Sequence, residues 1–166
     1  MKTIEQVAHF MKAESLLLVT AESCTAGLIA ATLADIPGAG QLLDCAFVVY
    51  SPEAKKRCLS VSEETLENFN LTSEEVACEM AEGALRNSRA NVSVSNTGVV
   101  DDTDDDIPAG TQCFAWAFET ATDAGGPTIF SETRQFPGDR TAIRVASAKY
   151  ALERIPHYFS RLGQKQ

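Results

Sequence analysis

The chain has 166 residues, of which 45% are hydrophobic and 22% are charged, and its formal net charge is −9. This length supports a substantial core, and we expect one domain over residues 1–166. The acidic balance argues against nucleic acid as the main partner, because a phosphate backbone needs a basic face. No apolar run approaches the roughly 20 residues that span a membrane, and no signal core is seen. We therefore expect a cytoplasmic protein.

Helix and strand patterns alternate in the first part of the chain. Apolar residues at helical spacing predict an amphipathic helix over residues 3–13. Apolar runs predict buried strands at Ser15–Thr20 and Cys45–Tyr50. Between these strands we expect a helix from about Thr25 to Ala34, and then a short helical turn at Ala39–Leu43.

Three further helices are expected in the middle of the chain, two of them from capping signals. Ser51 suits an N-cap and Pro52 the first position of a helix. A short polar helix is expected at Ser62–Phe69. A capping-box pattern that starts at Thr72 opens the next helix.

The last part of the chain predicts strands and one closing helix. Strands are expected at Val92–Thr97, Thr111–Glu119 and Thr128–Phe136, and the short connection between the last two implies an antiparallel hairpin. Gly138-Asp139 starts the final helix. Early alternation and a late hairpin predict an α/β fold, namely a three-layer α/β/α sandwich with a mixed sheet.

The most informative segment is Ala21–Gly27, with the sequence AESCTAG, directly after an apolar run. A strand that ends here and a helix that begins here would place Ser23 beside backbone N–H groups at a helix N-terminus. Such groups bind phosphate or a developing oxyanion. Glu22 is either an orienting carboxylate or part of a hydrogen-bond network at the helix entry, and the sequence leaves both open.

A second strand-to-helix junction offers a base for Ser23. Lys55 is the fourth residue of the helix that Ser51 caps, and helical side chains lean toward the N-terminus. If the two strands are neighbours, Ser23, Tyr50 and Lys55 converge at one edge of the sheet. The alternative is a half-buried strand aromatic at Tyr50 and a solvated Lys55, and spacing alone favours that alternative.

The sequence contains two other groups of residues that could supply a nucleophile or its base. A Ser-His-Asp triad would need His9 or His157, each on a terminal helix, and a surface position suits both better. Cys24 is an alternative nucleophile, because a helix N-terminus lowers a thiol pKa, or else it is a small buried filler.

Arg140 is expected in the first turn of the final helix, four residues before Arg144. An arginine there adds to the positive end of the helix dipole, which costs stability unless an anion is bound. We therefore predict a contact with a substrate carboxylate or phosphate. The alternative is a surface salt bridge to Asp139 or Glu132.

The sequence predicts no metal site. The five cysteines are scattered without a C-x-x-C pair, which fits reduced thiols rather than zinc. Asp102, Asp104 and Asp106 start like a calcium loop, but Ile107 stands where that loop needs glycine. We interpret this run as a solvated acidic loop.

These segments together resemble one family across nearly the whole chain. The family comprises the C-terminal domain of competence/damage-inducible protein CinA and its stand-alone relatives, the nicotinamide mononucleotide deamidases. The motifs, in chain order, are AESCTAG at Ala21–Gly27, IPGAG at Ile36–Gly40, VVYSPEAKKRCLSV at Val48–Val61, NTG at Asn96–Gly98, PAGT at Pro108–Thr111 and FPGDR at Phe136–Arg140.

The resemblance implies hydrolysis of nicotinamide mononucleotide to nicotinate mononucleotide and ammonia, without metal or cofactor. It implies Ser23 as nucleophile, with Tyr50 and Lys55 completing the catalytic set. Backbone N–H groups near Cys24–Gly27 would stabilise the oxyanion. The substrate-binding residues expected are Glu22, Cys24, Thr25, Gly27, Gly98 and Arg140. The expected partner is a small-molecule nucleotide, and we expect a homo-oligomer from the resemblance alone.

Two departures from the family pattern leave a second hypothesis open. Ala26 replaces a glycine, which is a small change if its φ is negative. The segment Gly98–Pro108 carries five aspartates in place of a glycine-proline loop, and they would repel a phosphate unless they point to solvent. The alternative is a divergent paralogue that acts on a less anionic amide or only binds. An acidic segment folded over the pocket would favour the paralogue, and one turned into solvent the deamidase.

Overall fold

The computed structural model describes residues 2–120 and 125–164. The helices in these ranges are α1 (Ile4–Ala13), α2 (Leu28–Ala34), α3 (Pro52–Leu59), α4 (Glu63–Asn68), α5 (Glu74–Arg86), α6 (Arg140–Glu153) and α7 (Ile155–Phe159). The strands are β1 (Leu18–Glu22), β2 (Leu43–Val48), β3 (Val92–Gly98), β4 (Thr111–Phe118) and β5 (Thr128–Gln135). Short 3-10 turns occupy Ala39–Gln41 and Leu162–Gln164. Within the described ranges, no helix combines the length and the apolar character that a membrane span requires.

The strands form one mixed sheet in the order β2-β1-β3-β4-β5. β1 pairs in parallel with both β2 and β3, whereas β4 is antiparallel to β3 and to β5. The register sets Glu22 of β1 opposite Val48 on one side and Asn96 on the other. The three parallel strands therefore end at one edge, which is where open α/β sheets hold their ligands.

Apolar layers cover both faces of the sheet. Along β4, Phe114 and Trp116 pack into the cluster that contains α1, α2, α6 and α7. The alternate residues Ala115 and Ala117 face the cluster built on α3 and α5. This alternation is the two-residue period of a strand that is buried on both sides. The result confirms the predicted three-layer α/β/α sandwich with a mixed sheet.

The predicted boundaries are wrong around the first parallel strand. β1 continues through Glu22 instead of ending at Thr20, because its last residues pair with both neighbouring strands. The next helix begins at Leu28 rather than Thr25. The backbone at Ala26 and Gly27 has φ values of 49° and 95°, and these left-handed conformations keep the helix from starting earlier.

Two further boundaries differ from the sequence prediction. β2 starts two residues earlier than expected and ends at Val48, so Tyr50 lies in the loop after the strand. The cap of α5 is Ser73, whose side chain accepts a hydrogen bond from the backbone N–H of Val76. The capping box predicted from Thr72 is therefore wrong by one residue. The antiparallel hairpin of β4 and β5 is confirmed.

Candidate active site

A pocket of about 480 Å³ opens where the parallel strands end. This volume lies in the range of about 300–1,000 Å³ that is typical of small-molecule sites. Six of the predicted site residues line it, namely Ser23, Cys24, Tyr50, Lys55, Gly98 and Arg140. Glu22, Thr25 and Gly27 are not among the residues that line it.

Ser23 and Lys55 meet at the base of this site. Lys55 is only 1% exposed, and its Nζ lies 3.1 Å from Ser23 Oγ. The same Nζ donates hydrogen bonds of 3.0 Å to the backbone carbonyls of Val49 and Tyr50. Burial lowers the pKa of Lys55 to about 8, because the ammonium loses its hydration. As an ammonium, Lys55 donates to the Ser23 hydroxyl and to both carbonyls. Once deprotonated, the amine can keep the two carbonyl bonds and turn its lone pair toward the Ser23 hydroxyl.

The start of α3 explains why Lys55 reaches Ser23. Ser51 caps the helix by accepting a 3.1 Å bond from the backbone N–H of Ala54, and Pro52 occupies its first position. This cap fixes Lys55 one turn inside the helix, with its side chain leaning back toward β2. Since β1 lies beside β2, the amine arrives at the residue that follows β1.

The structure brings the backbone of Tyr50, rather than its ring, to the Ser23–Lys55 pair. The Tyr50 carbonyl accepts from Lys55, while the residue as a whole is 58% exposed. Among the described residues, the Tyr50 hydroxyl has no hydrogen-bond partner. The predicted catalytic role of that hydroxyl remains a prediction. His9 and His157 lie on α1 and α7, and neither lines the pocket.

Glu22 forms the hydrogen-bond network at the entry of α2. It is fully buried, and one carboxylate oxygen accepts from Thr25 Oγ1 at 2.7 Å and from the backbone N–H groups of Gly27 and Ile29 at 2.8 and 3.0 Å. The other oxygen accepts from the N–H of Ala30 at 3.0 Å. The sequence left open whether Glu22 orients a catalytic group or belongs to the hydrogen-bond network at the helix entry. The structure shows the hydrogen-bond network, and both carboxylate oxygens already accept hydrogen bonds.

The free N–H groups expected at Cys24–Gly27 are mostly taken. The N–H of Thr25 donates to Asn96 Oδ1 at 3.0 Å, and that of Ala26 donates to the carbonyl of Ser23 at 3.0 Å. The N–H of Gly27 is held by Glu22. Of these four groups in the described chain, only the Cys24 N–H lacks an acceptor. The prediction that several N–H groups of this segment are free to bind an anion is therefore wrong, and the Cys24 N–H is the one described group left without an acceptor.

Cys24 is poorly suited to act as a nucleophile. The residue is 6% exposed, and burial raises the pKa of its thiol. The lowered pKa predicted for Cys24 is wrong, because burial raises the pKa and because α2 begins four residues later, at Leu28. Its Sγ accepts a 3.4 Å hydrogen bond from Gln112 Nε2, so the thiol packs into the wall of the pocket.

A buried amide pair joins the nucleophile segment to the acidic segment, and sequence reasoning missed it. Asn96 Nδ2 donates to Gln112 Oε1 at 2.9 Å, while Gln112 Nε2 donates to the carbonyl of Val99 at 3.0 Å. A Cβ at Gly98 would collide with the end of the Gln112 side chain, so a larger residue there would displace this amide from its hydrogen bonds. Asn96 belongs to the NTG motif at Asn96–Gly98, the one sequence feature that indicates a special role for it.

Arg144 is a second residue whose role the sequence did not indicate. Its guanidinium donates to the carbonyl of Cys24 at 2.9 Å and to that of Thr25 at 3.2 Å. These bonds tie α6 to the segment that carries Ser23 and place a positive charge beside it. The sequence feature that points to this position is the spacing of four residues from Arg140, which places both side chains on one helix face.

The acidic segment lies against the pocket rather than away from it. Asp101 and Asp104 are among the lining residues, and Asp101 pairs with Arg140. The alternative salt bridge predicted for Arg140, with Asp139 or Glu132, is not formed; Asp139 instead caps α6. Within the described residues, no group of three or more His, Cys, Asp or Glu side chains is placed to hold a metal ion.

The family is settled by comparison with known proteins. The model of the CinA C-terminal domain matches residues 1–159. The chain belongs to the CinA C-terminal domain family. It is 39% identical over 161 residues to the nicotinamide-nucleotide amidohydrolase PncC of Escherichia coli K12, covering 96% of this chain and 94% of the relative. PncC of Enterobacter agglomerans is 37% identical over 150 residues, covering 89% and 88%.

Solved structures of CinA proteins share this fold. The CinA superfamily protein of Escherichia coli superimposes with a TM-score of 0.84 at 32% identity, covering 94% of this chain and 90% of that one. The competence/damage-inducible protein CihA of Agrobacterium tumefaciens gives a TM-score of 0.79 at 35% identity, covering 93% and 94%. These matches confirm the predicted family.

Ala26, which replaces a glycine of the family pattern, has an unfavourable backbone conformation. Its φ of 49° is left-handed, a conformation that costs a side-chain-bearing residue about 1–2 kcal/mol. Part of the gain from Ala26→Gly is lost to the more flexible unfolded chain. We expect Ala26→Gly to raise the free energy of unfolding by about 0.5 kcal/mol, measured by urea denaturation.

Ala31→Gly is the matched control for Ala26→Gly. Ala31 is an exposed residue inside α2, so the same change should destabilise the protein by about 1 kcal/mol. Equal destabilisation by both substitutions would show that Ala26 is not strained.

Proposed function

We propose that this protein is an amidohydrolase that converts nicotinamide mononucleotide to nicotinate mononucleotide and ammonia. The observation that carries the proposal is the buried Lys55 amine 3.1 Å from the Ser23 hydroxyl, in a pocket of suitable size. The relatives are named nicotinamide-nucleotide amidohydrolases, and amide hydrolysis is a reaction that a serine activated by a neighbouring base can carry out. The expected cytoplasmic location and homo-oligomeric state remain predictions.

The chemistry follows from the two side chains. Ser23 Oγ attacks the amide carbon and passes its proton to neutral Lys55. The tetrahedral intermediate places negative charge on the former carbonyl oxygen. The Cys24 N–H, which has no acceptor among the described residues, would donate a hydrogen bond to this oxygen. Lys55 then gives its proton to the leaving nitrogen, so that ammonia departs and an ester to Ser23 remains. Water attacks this ester, Lys55 accepts the water proton, and the carboxylate product leaves as Ser23 regains its proton.

Activity should rise with pH in a defined window. Only the neutral amine of Lys55 accepts the serine proton, and burial lowers the pKa of Lys55 to about 8. The neutral fraction therefore grows from about one-tenth at pH 7 to about nine-tenths at pH 9. We expect kcat/KM to increase through pH 8 and to level off above it. A profile measured from pH 6 to 10 that is flat, or that has its midpoint near 10.5, would contradict this role.

A second candidate function is favoured by the acidic segment. Asp101 and Asp104 line the pocket, which is the placement expected for a paralogue that acts on a less anionic amide. Such a protein would keep the Ser23–Lys55 chemistry and leave nicotinamide mononucleotide intact. A protein that binds without catalysis would make no use of the buried amine.

Incubation with nicotinamide mononucleotide tests the proposal directly. Ammonia and nicotinate mononucleotide should form in equal amounts. A folded protein that releases neither product would exclude the nucleotide as substrate and favour the second candidate. Tyr50→Phe in the same assay shows whether the tyrosine hydroxyl contributes.

A further inference from the structure

The pocket offers little positive charge for a phosphate. Of the described residues that line it, Lys55 and Arg140 are the two with cationic side chains. Lys55 is committed to Ser23 and to two carbonyls. Arg140 is therefore the group left to meet a phosphate, and its guanidinium is already paired with Asp101.

The position of Asp101 is held by bonds on both sides of the acidic segment. At its start, the N–H of Val99 donates to the carbonyl of Thr111 at 3.0 Å. Further along, Asp104 Oδ2 accepts a 2.9 Å bond from Asn70 Nδ2, and Asp104 Oδ1 accepts from the backbone of the next turn. The carboxylate of Asp101 is thus presented to Arg140 from a segment anchored across the pocket.

We propose that Asp101 is a specificity-determining residue that occupies Arg140 in place of the substrate phosphate. It disfavours a phosphorylated pyridinium amide relative to the same amide without phosphate. The inference rests on the proposed function, since it concerns the substrate preference of the same site.

The charges explain the direction of the effect. A phosphate that binds Arg140 must displace Asp101 and then lie beside its negative charge, whereas Arg140 without Asp101 would be free for a bidentate contact. The phosphate-free nucleoside carries only the positive ring and meets no such repulsion. Since Arg140 and Asp101 are both about half exposed, salt should weaken the discrimination.

The test compares two substrates, nicotinamide mononucleotide and nicotinamide riboside, with Asp101→Asn. We expect Asp101→Asn to raise kcat/KM about fivefold for the nucleotide and to change it less than twofold for the riboside. The matched control is Asp105→Asn, which makes the same charge change in the same segment at an exposed residue that does not line the pocket. Asp105→Asn should leave the ratio of the two values as in the wild type.

A double variant isolates the contact with Arg140. In an Arg140→Gln background, Asp101→Asn should lose most of its effect, because no guanidinium remains to be released. Equal ratios for the wild type, Asp101→Asn and Asp105→Asn would overturn the inference even if the nucleotide is hydrolysed.

A binding measurement separates this inference from the proposed function. If neither substrate is hydrolysed, the proposed function fails, and calorimetric titration with nicotinate mononucleotide decides about Asp101. Binding that is about fivefold tighter in Asp101→Asn than in the wild type and Asp105→Asn supports the inference. Unchanged binding, or no binding by any variant, overturns it.

Discussion

Replacing Lys55 with methionine, or Ser23 with alanine, will each lower kcat for nicotinamide mononucleotide hydrolysis by about 10³-fold or more. Lys55→Met keeps most of the buried stem but removes the amine that lies 3.1 Å from Ser23 Oγ. Ser23→Ala removes the nucleophile itself. Because the two groups act as a unit, the double variant should lose little more than the worse single variant. Steady-state release of ammonia measures all three.

Lys56→Met is the matched control for Lys55→Met. Lys56 follows Lys55 on the same helix, but its Nζ is exposed and pairs with Glu63 at 2.9 Å. Activity within about twofold of the wild type is expected for it, since exposed ion pairs contribute little. Thermal unfolding verifies that each variant is folded. A folded Lys55→Met protein that keeps a tenth of the wild-type rate would exclude Lys55 as the general base.

The direction of the Lys55 side chain could be predicted because it depends on local patterns. Ser51 and Pro52 fix where α3 begins, and that start fixes the direction in which Lys55 leans. The sequence could not show that β1 and β2 are neighbours, since pairing between strands depends on contacts distant in sequence. Spacing alone therefore favoured a solvated lysine, and the family resemblance supplied the missing placement.

The environment of the nucleophile could not be predicted from local patterns. Ala26 is an ordinary helix former, and nothing in its type indicates the left-handed backbone that delays α2. That delay leaves Glu22, rather than a substrate anion, to satisfy the first N–H groups of the helix. The role of Gln112 could not be predicted from the sequence either, because its contact with Asn96 results from the pairing of β3 with β4.

The acidic segment shows the limit of reasoning from composition. Five aspartates in a row of six suggested a solvated loop. Asp102, Asp105 and Asp106 are exposed, as expected of a solvated loop. Asp101 and Asp104 differ because each also contacts a specific partner at the pocket. The partners, Arg140 and Asn70, come from distant parts of the chain, so only the tertiary fold distinguishes these aspartates from their neighbours.

Glu22→Gln is expected to destabilise the fold by about 2 kcal/mol, although it changes a single buried atom. The Glu22 carboxylate accepts from Thr25 Oγ1 and from three backbone N–H groups at the start of α2. An amide nitrogen in place of either oxygen would point its own hydrogens at donors, leaving buried N–H groups unpaired. For a chain of this size, the melting temperature should fall by about 4–8 °C.

Glu53→Gln separates this network from the ordinary helix-dipole effect. Glu53 also lies in the first turn of a helix, but it is exposed at the start of α3. Neutralising it should cost less than about 1 kcal/mol, the usual worth of an exposed charge near a helix N-terminus. Equal losses for the two variants in urea denaturation would show that Glu22 acts only through its charge. A larger loss for Glu22→Gln means that the same carboxylate that closes this helix end to anions also holds the segment carrying Ser23.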